Sequence, residues 1–283
     1  MITDTNITNQ TETPEVVRRL KRDLVKAASS LSVDEARYLV DAYYAMQEYR
    51  KAAANQVRAL AESKEPHSVL LWLFEQNDTV EKQIKRALDA WTDSLPAACW
   101  AKSICGIGPV ISAGLAAHID ISRCQTVGCI WRFAGLDPTV EWKKGEKRPW
   151  NAGLQCLCWK VGESFVKVSG RDEDFYGKLY LQRKQQEINR NDAGMFAEQA
   201  ARKLERFKIG KDTDAYKAYS VGKLPPAHIH SRAKRWAVKL FLSHFHYVAY
   251  TLANGAPPPK PYVISIQGHA DMIMPPNFDG GVM

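Results

Sequence analysis

The sequence predicts a mainly α-helical protein, a long antiparallel helical hairpin followed by a helical domain that contains a helix-hairpin-helix element. Three observations carry this expectation. Apolar residues recur at spacings of three and four through most of the 283-residue chain, and only Tyr262–Ile266 reads as a short strand. Capping residues and prolines stand where such helical runs would begin and end. Two short apolar helices flank Gly106-Ile107-Gly108-Pro109, a sequence suited to a tight helix-to-helix connection.

The elements follow in order. Met1–Thr13 is polar, without an apolar signal region, and reads as a disordered tail over 1–13. From Pro14 to Ser30 a basic amphipathic pattern predicts a first helix. Ser32 followed three residues later by Glu35 is a capping-box signature, opening a helix from about Val33 to Ser63. Glu65-Pro66 ends it, and a third helix runs from Ser68 to Ser94. Two long helices joined by a short turn make an antiparallel arm over 14–94. Packing is the expected role of that arm. The alternative is a dimerising coiled coil, against which Lys, Arg and Gln interrupt the heptads.

The segment 95–253 is expected to form the second domain, with 187–226 as an insertion and 254–283 as an extended tail. Within it, helices are predicted at Asn151–Val168, Phe175–Arg190, Gly194–Phe207 and Ala227–Ala253, with a loop between the last two. At the hairpin, Gly106 and Gly108 permit positive φ and close approach, Ile107 plugs the angle between helices, and Pro109 fits a first helical turn. The amides of Gly108, Val110 and Ile111 are then free at a helix N-terminus, which attracts a phosphate. Contact of this kind ignores base identity.

The run Ser103-Ile-Cys-Gly-Ile-Gly-Pro-Val-Ile-Ser-Ala-Gly-Leu-Ala-Ala-His-Ile, then Asp120-Ile-Ser-Arg, then Trp131-Arg-Phe-Ala-Gly-Leu-Asp-Pro, resembles the C-terminal domain of the insertion-sequence-110 type transposases, also called bridge-RNA-guided recombinases. The likeness covers about Leu95–Leu181, and more weakly Ala227–Tyr250. It implies a nucleic-acid-binding platform of mobile-element or phage origin. Two departures matter. The RuvC-type nuclease domain that precedes this region in the family is replaced by the helices of Pro14–Ser94. The loop where the family carries its serine nucleophile, Thr139–Trp150, has no serine. The resemblance therefore implies a relative without catalysis. An active strand-transfer enzyme using Ser164 or Ser169 is the alternative, and a protein-interaction module with a structural hairpin is another.

That loop carries Lys143, Lys144, Lys147 and Arg148 between Trp142 and Trp150, a mixture suited to phosphate neutralisation and base stacking. Its opposing reading is a solvated loop with tryptophans turned inward. The net charge of +8 favours polyanions. The expected nucleic-acid contacts are thus Lys102, Gly106, Ile107, Gly108, Val110, Ile111 and the four cations of the loop. DNA is the expected partner, RNA the alternative, with a homodimer through the arm as a further partner. No cofactor and no metal are expected: His228/His230 and His244/His246 sit two apart, on different helix faces, with the pairs about 21 Å apart. Six cysteines without a C-x-x-C pair read as reduced thiols. With no run near the ~18 apolar residues of a membrane span, the expected location is the cytoplasm, on the nucleoid.

Overall fold

The computed structural model describes residues 19–259 and 273–280. Among the described residues are eleven α-helices and no strand, so the mainly α class stands. The expected tail 1–13 and the strand Tyr262–Ile266 lie outside the described residues.

Of the helix expected over Pro14–Ser30, residues 14–18 lie outside the described residues; α1 covers Arg22–Ala27 and passes into a 3-10 turn at Ala28–Ser30. Lys21 precedes α1 with an extended backbone and offers no capping side chain. Next, α2 spans Val33–Ala61 and opens on the expected capping box: Ser32 Oγ accepts from the Glu35 amide, and Glu35 accepts from the Ser32 amide. His67 caps α3, Ser68–Asp93, through Nδ1. The two long helices pack against each other as the arm.

The body begins with α4 (Pro96–Lys102) and α5 (Pro109–His118), the two helices of the hairpin. There follow α6 (Val127–Phe133), α7 (Ala152–Val168, capped by Asn151) and α8 (Tyr176–Asp192). Then come α9 (Ala197–Arg206), α10 (Asp214–Ser220) and α11 (Pro226–Asn254). Gly255, with φ of 68°, closes α11 in the left-handed conformation. The loop expected before α11 contains α10. Thr213 caps this short polar helix, and burial of Tyr219 beside Phe196, Ala200, Leu224 and Ile229 holds it. Tertiary packing here overrides a weak local signal.

One apolar cluster joins α4 to α8 with α11; its largest fully buried side chains include Tyr176, Phe165, Phe241 and Phe245. A second cluster attaches the arm to the body: Ala36, Val40, Leu88 and Trp91 pack on Val110, Ala113 and Ala117 of α5. The position 187, where the insertion is expected to begin, lies inside a helix. α8 runs through it, and the Glu187 carboxylate, 1% exposed, bonds Arg232 Nε at 2.8 Å and Arg183 at 2.5 Å. The segment 273–280, read from sequence as tail, lies on the body. Trp100 Nε1 donates to the Pro276 carbonyl at 2.8 Å, and Phe278 packs on the main core.

Candidate nucleic-acid interface

Gly106, with φ of +90°, makes the turn between α4 and α5. A Cβ there would lie 3.0 Å from Ser164 Oγ and 3.1 Å from a Val168 methyl, so the backbone passes close against α7. Ser164 Oγ donates to the Gly106 carbonyl and fixes this approach. Gly108 differs. It is extended, caps α5 without a side chain, and has open space where a Cβ would stand. The hairpin is closed by Ser112 Oγ donating to the Ala98 carbonyl at 2.7 Å.

Pro109 opens α5 as expected. The amides of Gly108, Val110 and Ile111 have no hydrogen-bond partner among the described residues, whereas Ser112 already bonds the Gly108 carbonyl. These three donors stand at the positive end of a ten-residue helix. They face a cleft of about 360 Å³, walled by Tyr43, Tyr44, Gln47 and Lys51 of α2, Lys85 of α3, and Trp159, Lys160, Glu163 and Lys167 of α7.

Four lysines thus converge on the helix start. Lys160 Nζ lies 3.8 Å from the Tyr44 ring centroid. Burial, with Tyr43 and Cys156 nearby, pushes the Tyr44 hydroxyl far up, so it stays a neutral donor. The single carboxylate, Glu163, is hydrogen-bonded to Lys234, which holds its pKa below the usual range. Among the described residues, Lys85, Lys160 and Lys167 form no ion pair at contact distance, although the charges of Lys160 and Lys167 act on Glu48 and Glu163, and Lys51 pairs with Glu48 of its own helix. The arrangement attracts an anion from three sides.

Two of the sequence-expected contacts fall elsewhere. Lys102 bonds Asp89 at 2.8 Å and Asp93 at 2.5 Å and is largely buried, so its charge is already compensated. Ile107 is 4% exposed, its side chain is in the core, and its amide bonds the Ile104 carbonyl. Val110 offers only its amide, because its side chain packs against the arm.

The basic loop is ordered by its own tryptophans. Trp142 and Trp150 pack edge to face at 6.2 Å, Trp142 Nε1 donates to the Glu146 carbonyl, and Arg148 lies 5.4 Å over Trp142. The tryptophans are half-buried, while Lys143, Lys144, Lys147 and Arg148 are exposed and their side chains form no ion pair among the described residues; the Lys143 amide donates to the Glu146 carboxylate. Loop and hairpin are not adjacent. They sit at opposite ends of α7, about 20 Å apart at the helical rise.

Sequence reasoning missed the walls of the cleft, Tyr43, Tyr44, Lys51, Lys85, Trp159, Lys160 and Lys167. The available signal was Trp159, Lys160 and Lys167 interrupting an otherwise apolar helix. The histidines of α11 hold the fold. His244 bonds Tyr176 and the Ile273 carbonyl, His246 the Cys124 carbonyl, and His230 the Tyr180 hydroxyl. Among the described residues no group of three or more His, Cys, Asp or Glu is placed to hold a metal ion. No helix there is long and apolar enough to cross a membrane. No family model, curated protein or solved structure matches the chain.

Proposed function

We propose that the protein binds nucleic acid through its phosphate backbone, without catalysis, at the cleft where α5 begins. The observation that carries this reading is the convergence of four lysines and three amides, unpaired among the described residues, on one recess whose one carboxylate among those residues is paired with Lys234. The exposed cations of the 143–148 loop add a second phosphate contact at the far end of α7. Ser164 and Ser169 donate their hydroxyl protons to backbone carbonyls, which supports a binding role over bond cleavage. The likeness to the insertion-sequence-110 type transposases adds a mobile-element or phage origin and DNA as first partner, with the protein on the nucleoid.

The test is anisotropy of a labelled oligonucleotide across a salt series. If each cleft lysine neutralises one phosphate, the four together contribute about 3 to the log–log salt slope. Charge reversal of Lys160 and Lys167 then lowers the slope by about half that amount. No binding at about 50 mM salt rejects the proposal.

A second reading has its own observation. The distal end of the arm exposes Val69, Leu71, Trp72 and Leu73, apolar residues all around one helical stretch. A homodimer through the arm would cover them. Sedimentation of the wild type against Leu73→Glu decides this, and a monomer in both cases rejects it.

A further inference from the structure

Trp159 is 58% exposed on α7, although the same helix buries Phe165, Leu154 and Leu157 on its other side. Nothing in the fold requires an indole there. Its neighbours give the position a chemical character. Lys234 Nζ lies 5.4 Å over its ring, and Lys160 follows it at the mouth of the cleft. Lys234 is held by Glu163, so it steadies the ring, and Lys160 is the cation left to meet a phosphate beside a base stacked on the exposed indole.

The surroundings extend this into a line. Gln155, Trp159 and Glu163 are four residues apart and share one face of α7. At the upper end, Trp150 Nε1 donates to Gln155 Oε1 at 3.0 Å, which ties the basic loop to the head of that face. At the lower end, Lys160 and Lys167 lead to the α5 amides. From Gln155 to Lys167 the helix rises about 18 Å, enough for a short site of several nucleotides.

Chemistry chooses between strand forms. A cleft of about 360 Å³ is near the lower end of small-ligand pockets and takes one backbone with its sugar. Bases in a duplex have both faces covered by neighbours and offer only their edges in the grooves. An exposed indole therefore gains stacking from an unstacked base alone.

We infer that the Gln155–Lys167 face of α7 and the adjoining cleft form a track for a single nucleic-acid strand, with Trp159 as its stacking platform. This rests on the nucleic-acid reading above and narrows it to strand form. The shared chemistry is an unpaired strand of either sugar.

The experiment measures anisotropy of labelled single strands of about 12 nucleotides, in DNA and in RNA, beside a blunt DNA duplex of equal length. The wild-type chain is expected to bind at least one single strand about tenfold tighter than the duplex. Trp159→Ala should weaken single-strand binding by about fivefold to a hundredfold, the effect of losing one stacked base, and weaken duplex binding by clearly less. Trp159→Phe should restore most of it. Because the side chain is exposed and alanine favours helix, circular dichroism should not change. Equal affinity for both forms, or no effect of Trp159→Ala on the single strand, overturns the inference and leaves the broader proposal standing. Absence of binding to every form overturns both.

Discussion

The two glycines of the hairpin look alike in sequence, and the structure separates them in a measurable way. Replacing Gly106 by Ala forces a Cβ onto a backbone with φ of +90°. Left-handed conformations cost a residue with a Cβ about 1–2 kcal/mol. The new methyl also stands 3.0 Å from Ser164 Oγ and 3.1 Å from Val168. Ser164 cannot retreat without stretching its bond to the Gly106 carbonyl, a contact worth about 1 kcal/mol net. Reduced freedom of the unfolded chain offsets about 0.4–1 kcal/mol of this. The expected net loss is about 2 kcal/mol, or a fall in Tm of about 3–4 °C for a chain of this size. Gly108→Ala meets no atom within 4 Å and keeps an ordinary φ of −97°, so its stability should stay within about 0.5 kcal/mol of wild type. Urea titration followed by circular dichroism, with unchanged slope, reads both variants. If Gly106→Ala were as stable as wild type, or Gly108→Ala the more damaged, the assignment of one glycine to the turn and the other to the open cleft would be wrong.

Lys102→Ala should leave oligonucleotide affinity unchanged and lower stability by about 1 kcal/mol, since its ammonium is held by Asp89 and Asp93; a loss of affinity would return Lys102 to the interface. Burial lowers the His244 pKa to about 4 against a hydrogen bond to Ile273 that works the other way. The neutral ring's contribution is complete above the unfolded pKa of about 6.5. It is lost as pH falls from there to about 4. The urea midpoint should therefore decline through that window, by up to roughly 3 kcal/mol, and a flat profile rejects a neutral His244. Glu187→Gln leaves Arg183, Arg190 and Arg232, each partly exposed, facing an uncharged amide, with an expected cost of about 1–3 kcal/mol after solvent screening. A variant within about 0.5 kcal/mol of wild type in urea titration would show that the network contributes little.

Much of the fold was legible because helical periodicity and end signals are local. Ser32 and Glu35 marked the start of α2, Pro66 the end of the arm's first leg, and Pro109 the start of α5. The hairpin was legible for the same reason. What could not be read was which distant side chains meet it. Lys102 reads as free because nothing in sequence says that Asp89 and Asp93, one helix earlier, turn back to it. Lys51, Lys85 and Lys160 read as solvated charges on three separate helices, and only packing of α2 and α3 on α5 gathers them. Ile107 was rightly placed in the angle between helices, but that position buries it and removes it from any ligand. α10 escaped because its seven residues carry little apolar signal before Tyr219 finds its neighbours.

The attachment of the arm to α5 has a practical consequence for anyone trimming this chain. A fragment starting at Leu95 would retain Gly106 to Ile111, yet it would strip the cover from Val110, Ala113 and Ala117 and discard the wall of the basin contributed by α2 and α3. The same glycine motif transplanted onto another scaffold would offer three bare donors on a flat shoulder. The cleft is a property of where two far-separated stretches of polypeptide lean together, so a fragment that keeps it whole begins well upstream of the motif.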